Sequence, residues 1–169
     1  MEQLDKNGLT QAEYIEKYRS KNYPKPALTP DIVLLGDNRT KLLLIKRGGH
    51  PFIGQWAFPG GFAEESETIE QTAARELEEE TGYRAGKLTN LGRVSANTAL
   101  FKNHFNVFLA EDLVQTGSQH LDADERIRFE ELPIDEVIRR YGDAEFTHAY
   151  MGTALAFYFR WRMTQRGIF

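Results

Sequence analysis

Residues 61–83 read GFAEESETIEQTAARELEEETGY, and this stretch decides how the rest of the chain is interpreted. Between Glu64 and Glu80 it contains eight acidic residues and one basic residue, Arg75. Acidic helices are normally stabilised by pairs of opposite charge three or four residues apart. One arginine cannot provide such pairs for eight carboxylates, so the pattern favours a role for the charge beyond solvation.

Three of these glutamates share one side of a helix that the sequence predicts over about 67–80. Ser66 or Thr68 can cap its start, and Gly82 can end it. At about 100° per residue, an arc of roughly 100° holds Glu76, Glu79 and Glu80. They stand near the C-terminal end, where the helix macrodipole disfavours anions. Carboxylate oxygens suit Mg²⁺ or Mn²⁺, so the pattern predicts a divalent-metal site, with a plain acidic surface as the alternative.

The same stretch resembles the box of the Nudix hydrolases, G-x5-E-x7-R-E-U-x-E-E-x-G-U, where U is a bulky apolar residue. The spacing matches throughout, with Tyr83 where an aliphatic residue is usual; the matching residues are Gly61, Glu67, Arg75, Glu76, Leu77, Glu79, Glu80, Gly82 and Tyr83. A chance match in one chain is on the order of one in 10⁵ or rarer. The resemblance implies an α/β/α sandwich around a central mixed sheet. It also implies hydrolysis, by metal-activated water, of a nucleoside diphosphate linked to another group.

The resemblance also implies roles for single residues. The metal ligands would be the carbonyl of Gly60 and the carboxylates of Glu76, Glu79 and Glu80, and Glu79 or Glu80 would also bind the attacking water. Arg75 would orient a catalytic glutamate. Glu67 would be structural as the partner of Arg75, and Gly61 and Gly82 would be structural too. Beyond the box, Glu125 is the candidate for a further ligand or catalytic base, with a solvated acidic loop as the alternative and Asp122 or Glu130 as substitutes.

The substrate is less sharply indicated than the chemistry. Segments 48–61 and 97–100 look like Nudix proteins of the ADP-ribose pyrophosphatase type, so ADP-ribose or a related nucleotide sugar is expected first. Thr98 stands where that group often has proline, which leaves deoxynucleoside triphosphates and dinucleoside polyphosphates open. Arg47 could contact a phosphate or form a surface salt bridge. Phe52, Trp56 and Phe101 could each stack on a base. For Phe52, packing in the core is the favoured interpretation.

Hydrophobic periodicity predicts the remaining elements. Strands are expected at 32–35, 42–45, 56–58, 88–94, 105–109 and 126–131, and a loop at 111–124. Thr10 and Glu13 predict a capping box for a helix over about 10–20. Pro133 opens a helix to Tyr141, and Thr147 caps a final one. Its apolar stripe, interpreted as core or as a homodimer surface, is Tyr150, Ala154, Phe157 and Trp161.

Length and composition set the outer bounds. The 169 residues suggest a helical extension over 1–27 and one domain over 28–169. The net charge of −4, without a lysine and arginine cluster, argues against nucleic acid as a partner. No apolar run is long enough to span a bilayer, and no cysteine is present, so a cytoplasmic protein is expected. The four histidines show no metal-ligand spacing and are interpreted as incidental, with His50 the most interesting because it precedes Pro51 near the box.

The alternative to an enzyme is a nucleotide-binding protein without catalytic activity. Some Nudix-like domains bind a nucleotide without hydrolysis and regulate transcription through an attached winged helix. The complete set of box carboxylates and the short remainder after Tyr141 argue for an enzyme instead. The expected partner is therefore a small nucleotide-diphosphate substrate.

Overall fold

A six-stranded mixed sheet runs through the middle of the molecule. The computed structural model describes residues 4–19, 28–36, 39–95, 103–121 and 126–168. The strands are β1 (Leu28–Gly36), β2 (Lys41–Arg47), β3 (Trp56–Ala57), β4 (Tyr83–Ser95), β5 (His104–Gln115) and β6 (Ile127–Pro133). Their order is β3-β2-β1-β5-β4, with β6 pairing β2. Because β1 and β5 are parallel and the other pairs antiparallel, the sheet is mixed.

Helices cover both faces of this sheet. They are α2 (Ile69–Thr81) on one face and α3 (Ile134–Arg140) with α4 (Ala149–Gln165) on the other. The apolar run of β1 explains the two layers, since Ile32 and Leu34 pack in the α2 cluster and Val33 packs in the α4 cluster. A strand buried on both faces reads as a continuous apolar run. The predicted α/β/α sandwich around a mixed sheet is confirmed.

The predicted loop at 111–124 is wrong at its start. β5 continues through Gln115 because β4 lies alongside it, with Lys87 opposite Glu111 and Tyr83 opposite Gln115. Asp112 and Gln115 are exposed whereas Glu111 is buried, and these residues lack a strong period. The ladder to the neighbouring strand keeps the backbone extended, a tertiary effect that overrides local preference.

The helix predictions hold with small shifts. The capping box before α1 (Gln11–Arg19) is confirmed, since the Thr10 amide donates to Glu13 Oε2 at 2.8 Å. The predicted cap at Thr147 is wrong. The backbone is still extended at His148, which is therefore the N-cap of α4 and makes no side-chain capping bond. Thr147 lies one residue too early to cap this helix.

The buried face of α4 differs from the predicted stripe. It consists of Met151, Ala154, Leu155 and Tyr158, whereas the other three stripe residues only partly enter the core. The stripe is therefore largely the edge of the packed face, and a homodimer stays a prediction. Within the described ranges, no helix is long and apolar enough to cross a membrane.

α1 and the residues just before it contact the loop after β2 through His50. The Leu9 carbonyl lies 3.0 Å from His50 Nε2, and the Tyr14 and His50 rings are 5.9 Å apart. The histidine is buried. Its ring therefore joins two segments that are distant in sequence, a structural role that the local sequence does not indicate.

Candidate active site

The box forms a loop followed by α2. The helix starts after Thr68, whose hydroxyl accepts the Gln71 amide while the Gln71 side chain accepts the Thr68 amide. It ends at Gly82, whose φ of 71° favours glycine, and the Gly82 amide donates to the Glu78 carbonyl at 2.8 Å. Local capping therefore fixes where the helix starts and stops, and with it the side on which the carboxylates stand.

Arg75 is the centre of the charge network. Its Nε and Nη2 atoms donate to the two oxygens of Glu67 at 2.7 and 3.0 Å. Its Nη1 atom donates to Glu76 Oε1 and Glu79 Oε2, both at 2.9 Å. The hydrogen bonds from Arg75 lower the pKa of Glu67 from 4.5 to about 2 and raise the pKa of Arg75. The bridge to Glu67 ties the loop to the helix.

The carboxylates differ in burial. Glu76 and Glu80 are 8% and 3% exposed, whereas Glu79 is more open. Glu80 Oε2 accepts the Gly60 amide at 2.8 Å, which brings the loop against the end of the helix. Burying ionised carboxylates is costly unless charge or hydrogen bonds compensate. This pair of buried acids is therefore the candidate binding site for a cation.

Gly61 makes room for one of these acids. A Cβ atom at this position would overlap the Glu76 carboxyl group. The backbone of the loop thus comes so close to the Glu76 carboxylate that only glycine fits at position 61. With two carboxylates at a glycine turn, the residues fit a hard divalent cation in donor type.

The predicted ligands do not form a finished metal cage. Among the described residues, no group of three or more histidine, aspartate or glutamate side chains converges enough to hold a metal ion. The Arg75 guanidinium contacts Glu76 and Glu79, whereas Glu80 accepts the Gly60 amide, so the three carboxylates have different partners.

The loop that follows β5 places Gln119 and His120 near the box. Gln119 Nε2 donates to the carbonyls of both Glu80 and Ile127, and the His120 amide donates to the Glu79 carbonyl at 2.9 Å. This loop therefore joins the end of α2 to β6. Sequence reasoning missed Gln119, because nothing local distinguishes it from any polar loop residue.

The predicted substrate contacts have different surroundings. Arg47 donates from Nε to the Pro51 carbonyl at 2.9 Å and lines a cavity of about 440 Å³ together with Lys46, Arg126 and Arg128. Phe52 is 47% exposed, so its predicted core packing is wrong and its ring is open to a ligand. The backbone of Phe52 lies in the left-handed region, with a φ of 65°.

Trp56 lies in the core instead of at the surface. β3 places its ring against Phe146, with centroids 6.0 Å apart and Lys46 Nζ 5.1 Å from the ring. The structure thus does not present Trp56 to a base. Phe101, Glu125 and Asp122 lie outside the described residues. Glu130 is exposed on β6 and 3.4 Å from Arg128, away from the Arg75 network.

A further group of polar residues, which the sequence did not predict, lies beside the box where β1 meets the start of α4. It comprises Asp31, His148 and Tyr150, which are linked electrostatically to one another or to Arg47. The available signal was a single acid within the apolar run of β1, LTPDIVLL. Its packing partners come from a helix more than a hundred residues later, so sequence proximity could not reveal them.

Comparison with known proteins agrees with this geometry. A model of the NUDIX domain matches residues 25–152. An ADP-ribose pyrophosphatase of Methanocaldococcus jannaschii is 48% identical over 68 residues, which are 40% of this chain and 38% of that protein. The match thus spans well under two thirds of that relative. An ADP-ribose pyrophosphatase of Bacillus subtilis is 32% identical over 127 residues, 74% of this chain and 69% of that protein.

A solved structure gives the same fold. The crystal structure of an ADP compounds hydrolase superposes with a TM-score of 0.72 and covers 96% of this chain and 83% of that one. At 24% identity the likeness concerns the fold. Helices and mixed sheet are therefore arranged as in that hydrolase.

Proposed function

The chain belongs to the Nudix family, and on this premise we propose that it hydrolyses the diphosphate linkage of ADP-ribose or of a related nucleotide sugar. The observation that carries the proposal is the arrangement of Glu76 and Glu80, two buried carboxylates held at the Gly60–Gly61 turn. The complete box supplies the residue types, and both ADP-ribose pyrophosphatases named above support the substrate class.

The carboxylates of Glu76, Glu79 and Glu80, with the Gly60 carbonyl, would hold Mg²⁺ or Mn²⁺. When bound, such a cation neutralises the phosphates, activates water and orients the substrate. Arg75 Nη1 donates to both Glu76 and Glu79 at 2.9 Å, which compensates the repulsion between the two carboxylates and sets their orientation. Glu67 in turn fixes Arg75.

A carboxylate must take the proton from the attacking water. Glu79 is the more open of the box acids, and Glu80 is anchored by the Gly60 amide. Glu125 is the third candidate for this base. Arg47 and Phe52 provide a cation and an exposed aromatic ring for the rest of the substrate.

The test is turnover of a substrate panel with Mg²⁺ or Mn²⁺. ADP-ribose, NADH, a nucleotide sugar, a diadenosine polyphosphate and a deoxynucleoside triphosphate are incubated with the protein, and the nucleotide products are separated by chromatography. Release of AMP from ADP-ribose, with the highest kcat/KM of the panel, is expected. Higher kcat/KM on a triphosphate would overturn the substrate class. Tight binding of ADP-ribose without turnover of any compound would identify a sensor instead of an enzyme.

A further inference from the structure

Asp31 is a buried acid that the proposed hydrolysis does not use. It stands in the apolar run of β1 and is 8% exposed. Its Oδ2 atom is buried and has no hydrogen-bond partner among the described residues. A buried acceptor without a donor is unfavourable, so such an atom calls for an explanation such as a bound ligand.

The strand geometry gives the direction of this side chain. Successive residues of a strand point to opposite faces, and Ile32 packs in the α2 cluster while Val33 packs in the α4 cluster. Asp31 is therefore on the α4 face with Val33. The pKa of Tyr150 agrees with this placement, because it is raised by burial and by the nearby charge of Asp31.

Asp31 is also next to the box turn. The Ile32 amide donates to the Pro59 carbonyl at 2.8 Å, and a Cβ atom at Gly60 would lie 3.1 Å from the Asp31 Cα. The backbone of β1 at Asp31 therefore lies against the turn that precedes the proposed metal ligands. No described bond joins the Asp31 side chain to the charge network of Arg75.

The surroundings of Asp31 are aromatic and polar together. The Tyr150 ring stacks on Phe105 with centroids 4.3 Å apart at 18°, and the His148 ring meets Tyr150 edge-on at 5.2 Å. His148 Nδ1 is a second buried atom without a described partner. Flat rings beside unused hydrogen-bonding atoms suit a nucleoside, which presents polar groups around an apolar ring.

A structural ion pair does not explain this acid. Arg47 lowers the pKa of Asp31, but burial outweighs it and the net pKa is raised. No salt bridge joins the two side chains, although both are described. Glu111, equally 8% exposed, shows what a structural acid looks like here, because it contacts both Arg39 and Lys87.

We propose that Asp31 is a specificity residue that accepts a hydrogen bond from the nucleoside part of the substrate. The donor is either the exocyclic amino group of the base or a ribose hydroxyl. The inference rests on the proposed function only in taking a nucleotide as the ligand. Because the amino group is present on adenine and replaced by an oxygen on hypoxanthine, and because deoxyribose lacks one hydroxyl, the two sources can be separated.

The experiment is calorimetric titration of the full chain with four nucleotides: AMP, IMP, 2′-deoxy-AMP and 3′-deoxy-AMP. The proteins are wild type, Asp31→Ala, Asp31→Asn and, as a matched buried-acid control, Glu111→Gln. Wild type should bind AMP about tenfold more tightly than IMP if the base supplies the donor, or than a deoxynucleotide if the ribose does. Asp31→Ala should abolish that preference, and Glu111→Gln should keep it.

Asp31→Asn protects the test against misfolding, because its side chain has the same shape. It should bind AMP more weakly than wild type and should discriminate less. Retention of the wild-type preferences in the Asp31 variants would overturn the inference. So would the absence of any preference, or of AMP binding, in wild type.

Hydrolysis of ADP-ribose by the wild type is measured in parallel. Turnover of ADP-ribose without a role of Asp31 in nucleotide preference leaves the proposed function standing and removes the inference. A nucleotide preference that depends on Asp31, without turnover of ADP-ribose, leaves the inference standing and removes the proposed function. The two proposals can therefore fail separately.

Discussion

Two regions of the molecule bury glutamates and compensate their charge in opposite ways. At Glu111, on β5, one carboxylate contacts two cations, Arg39 and Lys87. At the box, one cation, Arg75, contacts three carboxylates, those of Glu67, Glu76 and Glu79. Both regions bury an acid to the same 8% exposure, at Glu111 and Glu76.

We propose that this difference separates a structural acid, Glu111, from a functional one, Glu76. An ion pair with cations on both sides is complete within the chain, and its removal changes stability. A group of carboxylates that shares one guanidinium retains affinity for a further cation. We therefore infer that the number of cations for each carboxylate, and not burial alone, predicts which of the two sites would bind metal.

The largest expected effect is on turnover. Glu80→Gln keeps an oxygen that can accept the Gly60 amide, so the fold should be retained, but it removes a negative charge from the site. The value of kcat/KM for ADP-ribose should fall about 10²–10⁴-fold, measured with saturating Mg²⁺. Glu111→Gln should lower the melting temperature and leave kcat/KM nearly unchanged. Equal loss of activity in both variants would contradict the comparison.

A smaller effect is expected at the glycine turn. Gly61→Ala adds a Cβ atom that overlaps the Glu76 carboxyl group, so this acid must move. Manganese affinity, measured by electron paramagnetic resonance, and activity should each fall about 10–100-fold. Gly117→Ala is the matched control, because nothing lies within 4 Å of a Cβ atom there. Unchanged Mn²⁺ affinity in Gly61→Ala would place the metal elsewhere.

Metal should also stabilise the folded chain. At a concentration tenfold above the Kd, Mn²⁺ bound only to the folded state contributes about 1.4 kcal/mol, which raises the melting temperature by about 3–6 °C. Glu111→Gln should show the same rise, since its charge is outside the box. Glu76→Gln should show less. A rise that is equal in wild type and Glu76→Gln would remove Glu76 from the metal ligands.

The smallest effect is the pH dependence that Glu67 contributes. Arg75 lowers the pKa of this carboxyl group from 4.5 to about 2 in the folded state. The stabilisation is thus complete above pH 4.5 and is lost as the pH falls towards 2. Urea unfolding of wild type between pH 5 and pH 2.5 should show this decline, and Glu67→Gln should show a shallower one. Parallel curves for the two proteins would show that the bridge contributes no pH-dependent stability.

The local parts of the fold could be predicted from the sequence. Capping residues and apolar periodicity identified α1, α2 and most strands, because these signals act between residues that are near neighbours in the chain. The bridge from Glu67 to Arg75 was expected from the box and is present at 2.7 Å. The predictions that failed, the loop at 111–124, the cap at Thr147 and the packing of Phe52, depend on contacts from other elements.

The candidate site divides in the same way. The sequence alone was enough to identify the box, because its residue types and their spacing lie within 23 residues, and the family resemblance that the box carries implied the chemistry and the sandwich. Tertiary contacts, in contrast, bury Trp56, join α2 to β6 through Gln119 and bring Asp31 to the start of α4. These relations join residues far apart in the chain, and burial by a distant element leaves no pattern in the local sequence.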